Sequence, residues 1–238
     1  QAAFYGGSFT AIPVEQQEEL LAVTDEFFAA GKISSVRIST RPDAIDEEIL
    51  SRMKRHHVTV IELGAQSMDD TVLQNARRGH TAVDTARAAS LIQQAGISLI
   101  LQTMAGLPGD TRETVRYTAQ CIAALKPDGV RIYPVAVLPN TPLYDDWQAG
   151  RYQPLDVETA AVWCADMLEI FEREHIPVIR VGLNPTEELD STVAAGAYHP
   201  AMGGLAYGEL WYRRLRRHIQ MTGERTIAVA PRELSRAI

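Results

Sequence analysis

An α/β fold built on a parallel sheet is what this sequence predicts, and three patterns predict it. Apolar runs of strand length alternate with helix-period segments along most of the 238 residues. Each such βα unit returns the chain to the same end of the sheet, so the strands run parallel. The second halves of the strands are polar or glycine-bearing, and the carboxyl ends of parallel strands are where barrels and open sheets hold ligands.

The elements follow in order. AAFYGG (2–7) reads as a strand, and 14–30 as a helix with Leu20, Leu21, Val23, Phe27 and Phe28 on its apolar side. SVRIST (35–40) is a second strand, 46–57 a short helix, and TVIELGAQ (59–66) a third strand. Short helices follow near 71–76 and 83–95; the second opens on Thr81 and Asp84, a capping box, and stops at Gly96. SLILQTMAG (98–106), a helix over 112–125, and GVRIYPVAV (129–137) supply the fourth and fifth strands. Residues 138–155 carry three prolines and a glycine and read as an irregular excursion. A helix over 157–175 and a strand IPVIRVGL (176–183) make one more pass. Loops at 184–208 and a basic amphipathic helix at 207–220 complete the chain. The change of character after Val137 divides it into 1–137, the barrel-like part, and 138–238, a C-terminal extension.

Composition bounds the function. Hydrophobic residues make up 46% and charged residues 22%, which suits a globular chain with a substantial core. A net charge of −7 argues against broad nucleic-acid binding, though it leaves room for a local basic patch. No apolar run reaches the roughly 18 residues of a membrane helix, and no signal peptide is evident. Cys121 and Cys164 stand far apart in helix-like text. They suggest a reducing compartment, the cytoplasm by default, and no disulfide framework.

Chemistry-bearing residues gather at the strand ends. Gly6-Gly7-Ser8-Phe9-Thr10 can expose successive amides to a ligand or simply make a tight turn. Pro42 keeps Arg41 extended, and Asp43 is placed to cap the next helix. Glu62 and Gln66 share a strand face, and Glu62 needs a cationic or hydrogen-bonded partner if buried. Arg78, beside that strand end, can clamp a carboxylate. His80 reads as a surface loop histidine and His56-His57 as exposed helix-end residues. Met104 to Asp110 lacks the glycine spacing of a dinucleotide site and the lysine of a P-loop, and Asp110 or Thr111 can cap the following helix. Arg213, Arg216 and Arg217 share a helix face, read as a solvated face rather than an RNA contact. No Ser-His-Asp order, nucleophile elbow or HExxH pair occurs, and no catalytic residue is singled out.

Taken in order, "AFYGGSFT", "ISTRPD", "IELGAQSMDDTVL", "RRGHT", "MAGLPGDT", "GAYHPAM" and "VAPRELSRAI" resemble one family. It is the radical S-adenosylmethionine enzymes, in the branch of the elongator catalytic subunit and the oxygen-independent coproporphyrinogen-oxidase-like proteins. The resemblance implies a partial TIM-type (β/α)6 barrel, with the strands above as the family's second to sixth. It also implies a [4Fe–4S] cluster held by three cysteines, and S-adenosylmethionine bound to its open iron. Reduction by a ferredoxin or flavodoxin then cleaves the cofactor to a 5′-deoxyadenosyl radical that abstracts hydrogen from a substrate.

Carried over by position, Gly6, Gly7, Ser8 and Phe9 match the motif that meets the methionine amino group. Ser39 and Arg41 fall near the ribose or carboxylate, Glu62 and Gln66 face the cofactor, and Arg78 pairs with the methionine carboxylate. Gln102 and the backbone at Gly106 and Leu107 line the ribose and adenine. The family's CxxxCxxC motif is not among these residues. The sequence therefore reads as a segment whose cluster ligands lie upstream of residue 1, or as a member that lost its cluster. A cluster-free module that binds S-adenosylmethionine or RNA remains the alternative function, and a tRNA partner is suggested by kinship and the one basic helix.

Overall fold

A computed structural model describes residues 1–223 and Thr226. Six strands form one parallel sheet: β1 (Ala2–Phe4), β2 (Val36–Thr40), β3 (Val58–Gln66), β4 (Ser98–Ala105), β5 (Gly129–Pro134) and, later in the chain, β7 (Val178–Val181). Their order in space is their order in sequence, β1-β2-β3-β4-β5-β7. Right-handed crossovers that always step the same way put every helix on one face. The sheet curls into a half-barrel with its other face concave.

The intervening helices are α1 (Val14–Ala29), α2 (Glu47–Arg55), α3 (Asp70–Asn75), α4 (Ala82–Gln94) and α5 (Arg112–Ala124). After β5 come β6 (Ala136–Val137), α6 (Pro142–Gln148) and α7 (Val157–Arg173); β7 is followed by α8 (Glu187–Thr192), β8 (Ala195–Gly196) and α9 (Met202–Thr222). Most helices start on a side-chain cap, as their sequences announce. Asp46, Asp69, Thr81, Thr111, Thr141, Asp156 and Thr186 each accept a backbone N–H of the first turn. The α2 cap is Asp46 rather than Asp43, which pairs with Arg41 instead. Among the described residues no helix is long and apolar enough to cross a membrane.

Strand alternation sorts the two faces. Val36, Ile38, Ile61, Leu63, Leu99, Leu101, Val130 and Ile132 point to the helices and are buried in one core with Leu21, Met53, Ile92, Ile122 and Phe171. Arg37, Glu62, Gln102 and Arg131 occupy the alternate, concave-facing positions. The core runs on past residue 137: Cys164, Met167, Leu168, Phe171, Ala206 and Leu210 all belong to it.

Several boundaries differ from the sequence reading. β1 ends at Phe4, because Gly6 adopts φ +99° and turns the chain out of the sheet. The fifth strand breaks after Pro134, which has no N–H to donate. The chain then leaves the sheet as β6, which pairs antiparallel with β8. The segment read as a further pass contains the sixth strand, β7, parallel to β5. The excursion holds a helix, α6, with Pro142 in its first turn. α9 begins at Met202, earlier than expected. Gly203 lowers helix propensity there, but a Cβ on it would lie 3.3 Å from the Val181 carbonyl oxygen, so α9 crosses β7 closely at this point. The stretch 229–238, which contributed to the family resemblance, lies outside the described residues.

Candidate cofactor and substrate site

Glu62 is the hub of the concave face. It sits in mid-β3, fully buried. Its Oε1 accepts from the Tyr5 hydroxyl at 2.8 Å, Arg37 Nη1 at 2.7 Å and Arg131 Nη2 at 3.1 Å. Its Oε2 accepts from Gln102 Nε2 at 2.9 Å. The donors come from the end of β1, from β2, from β4 and from β5, so one carboxylate ties five neighbouring strands together. Burial pushes its carboxyl up, but the Gln102 and Tyr5 hydrogen bonds, the Arg131 charge and the Arg37 hydrogen bond outweigh it. The net result lies below the ordinary 4.5. Two guanidiniums against one carboxylate leave the cluster cationic, and Arg131 Nη1 also donates to the Tyr133 hydroxyl at 3.3 Å.

The need of Glu62 for a cationic partner was legible in the sequence, but Arg37, Arg131 and Tyr5 were missed. The available signal was a charged residue at an alternate position inside the apolar strands VRIST and GVRIYP.

At the carboxyl ends of the strands the predicted residues fall into three groups. The first is the loop after β1. Gly6 and Gly7 are exposed, and a Cβ on either would meet no atom within 4 Å. With Ser8 they border a cavity of about 190 Å³ closed by Phe4, Ile12 and Leu20. Phe9 lines the same cavity from the core, its ring 4.9 Å from that of Phe4.

The second group surrounds Arg78. Ser39 stands half-buried beside Glu62 in the β2–β3 register. Gln66 takes φ +64° and folds its amide back over Gly64. Arg41 donates to Asp43 at 2.5 Å and reaches the Gly79 carbonyl at 3.5 Å. Arg78 borders a cavity of about 220 Å³ between α3, the β4–α5 loop and α6. Its Nε is buried without a hydrogen-bond partner. Burial, and then the neighbouring Arg41 charge, lower its pKa. Among the described residues no carboxylate pairs with it, so it has the electrostatics of an anion receptor.

The third group is turned inward. The Gly106 and Leu107 N–H groups both donate to Asp110 Oδ2, at 3.1 and 3.3 Å, and the Tyr152 hydroxyl donates to the Gly106 carbonyl at 2.6 Å. Burial pushes the Asp110 carboxyl up, with the Thr114 hydrogen bond opposing it. Thr111 is the cap of α5.

The remaining histidine and arginine readings are corrected. His80 is buried, its Nε2 3.1 Å from the Ala65 carbonyl, because the loop folds back against the end of β3. His56 is half-buried between Asp25 at 2.6 Å and Glu18 at 2.8 Å, and His57 stacks on Phe28 at 3.6 Å between ring centroids. The arginines of α9 do not form a simple solvated face. Arg213, Arg214 and Arg217 reach Asp166, Glu172 and Glu169 of α7. Asp166, almost fully buried, is shared with Arg112 and Arg116 of α5.

Comparison with known proteins places this geometry. Residues 1–122 match the model of the radical SAM superfamily, and residues 127–212 match the radical SAM C-terminal domain. The chain belongs to the radical SAM superfamily. A tRNA uridine(34) acetyltransferase of Methanocaldococcus jannaschii is 36% identical over 126 residues, which cover 52% of this chain and 23% of that protein. Human Elongator complex protein 3 is 29% identical over 168 residues, covering 62% of this chain and 31% of that protein. The solved Elp3 of Methanocaldococcus infernus, lacking its N-terminus, superimposes with a TM-score of 0.73 at 25% identity. The match covers 94% of this chain and 54% of that one. Coproporphyrinogen III oxidase of Escherichia coli shares the fold, with a TM-score of 0.58 at 17% identity. The chain thus spans about a quarter to a half of the length of the curated relatives it matches.

Radical SAM proteins in general use S-adenosylmethionine and a [4Fe–4S] cluster. The residues here fit the two groups differently. Arg78, with its orphaned buried Nε, and the unobstructed Gly6-Gly7 turn fit an amino-acid carboxylate and amine. The cysteines do not fit a cluster: Cys121 lies on α5, Cys164 is buried in α7, and the described residues hold no metal-binding group.

Proposed function

We propose that the mouth of this radical SAM half-barrel binds S-adenosylmethionine through its amino-acid end. The observation that carries the reading is Arg78, half-buried beside Arg41 with its Nε orphaned and no ion pair among the described residues. Arg78 holds the carboxylate, and the backbone carbonyls of Gly6, Gly7 and Ser8 are the acceptors on the amine side. Ser39, Gln66 and Gln102 complete the polar wall towards the ribose, and Phe9 supports the loop from the core. When bound, S-adenosylmethionine would supply radical chemistry for hydrogen abstraction. The relatives named for tRNA uridine modification support tRNA as the macromolecule acted on. The α7-paired arginines of α9 are not its landing site in this reading.

Equilibrium dialysis of labelled S-adenosylmethionine against the full-length gene product tests the assignment. Arg78→Ala weakens binding by about 10- to 100-fold, the worth of a charge-assisted hydrogen bond. Arg78→Lys recovers only part, having no planar fork. Unchanged affinity in Arg78→Ala removes Arg78 from the site. Release of 5′-deoxyadenosine under dithionite, after anaerobic reconstitution, separates radical chemistry from binding alone.

A further inference from the structure

α9 has two faces. Met202, Ala206, Leu210, Arg213 and Arg217 turn towards α7 and the core, as burial and ion pairs show. On the far side Leu205, Gly208, Tyr212, Leu215 and Ile219 recur at alternating spacings of three and four, the seam of a coiled coil. Leu205 is 40% exposed, Tyr212 59% and Ile219 45%, so the seam is open along most of the helix. A monomer's exposed apolar residues are ordinarily scattered rather than aligned.

Charge says which partner fits. Glu209 and Arg216 flank the seam on the same side, about two turns apart. Glu209 gives only Oε1 to Arg213. Arg216 is the one arginine of α9 without an ion pair among the described residues. The geometry points to a second copy of this chain, docked through α9 antiparallel to the first about a two-fold axis near the 212–215 turn. That register sets Tyr212 of one copy against Leu215 of the other, and Gly208 against Ile219, where the missing side chain admits the larger one. It also brings Glu209 of each copy beside Arg216 of the other, twice by symmetry. A parallel pairing does not place these two side chains together, because it matches one flank of the seam with the opposite flank. The surface lies on the helical side of the sheet, away from the concave face, so the dimer leaves the mouth of each barrel open.

Light scattering of the purified chain over a concentration series tests this. The expected mass approaches twice the 26.3 kDa of one chain as concentration rises. Tyr212→Asp, at a site exposed enough to leave the fold intact, abolishes association while the circular dichroism melt is unchanged. Arg216→Glu sets like charges together and weakens the dimer about 10-fold or more. Mixing the single variants Tyr212→Cys and Leu215→Cys under oxidation gives the mixed cross-linked dimer in preference to either homodimer, read against the unmodified chain. A single-chain mass at every concentration overturns the proposal and assigns the seam to another partner. A dimer indifferent to Tyr212→Asp, or one cross-linked mainly Tyr212→Cys to itself, overturns it equally.

Discussion

Removing a carboxylate from water costs several kcal/mol unless its surroundings return that energy, and Glu62 has no solvent contact at all. It stays ionised because two arginines, a tyrosine and a glutamine converge on it. Glu62→Gln leaves the half-buried guanidiniums of Arg37 and Arg131 together with no counter-charge, and costs about 3 kcal/mol of stability at neutral pH. Because the folded-state pKa is lowered, this contribution is fully present above the ordinary 4.5 and fades as the pH falls through the depressed folded value. Urea unfolding of the two proteins therefore converges as the pH is lowered from the ordinary 4.5 through the depressed folded value. A gap that stays constant over that range contradicts the assignment of the charge to Glu62. That Glu62 needed a partner was legible in the sequence, since an acid in an apolar strand is costly alone. The partners' identities were not, because they depend on which strands lie side by side. Arg78 was singled out for a different reason: it lay in a motif of the family resemblance, and its part in binding is a proposal.

At the scale of the elements, helix starts were the most legible feature, because a cap is a local contact between residues a few positions apart. Thr81 and Asp84 announced α4, and both halves of the capping box form. Strand ends were less legible. Pro134 signals a break, yet the direction of the chain beyond it depends on β8, which lies about sixty residues downstream. The basic helix was the hardest to read, since arginines facing water and arginines facing the acids of α7 look alike in sequence. The two kinds of pair on α9 respond differently to mutation. Arg213 donates at 2.6 Å to Asp166, which is almost wholly buried, so Arg213→Met lowers stability by about 2 kcal/mol and speeds amide exchange along α9. The Arg217–Glu169 pair is 3.3 Å long with Arg217 61% exposed, so Arg217→Met costs less than about 1 kcal/mol, and added salt erases the difference. Equal effects from the two substitutions contradict this account.

For the whole molecule, alternation of strands and helices was enough to predict a parallel sheet, and family resemblance to predict its curl. The position of β7 was not readable from composition, because the change of texture after Val137 marks an excursion of the chain rather than the end of its core. Phe171, Leu168 and Met167 of α7 pack with Ile92 and Ile122 from the first half. A fragment of residues 1–137 therefore leaves that apolar surface and the free edge of β5 uncovered. Its urea titration lacks a cooperative transition, and it binds a hydrophobic dye. A sharp transition in that fragment instead establishes a separate barrel-like domain ending near Val137.

The strict match between strand order and chain order also bears on how the molecule is made. β1 to β4 each pair with the strand that follows in the chain, and β5 waits only for β7, so no strand must hold its place for a partner from the far end. Each βα unit emerging from the ribosome meets an edge already finished and extends it. Growth of the sheet is then vectorial, along one edge rather than two, with α7 and β7 arriving after β5 to cover that edge.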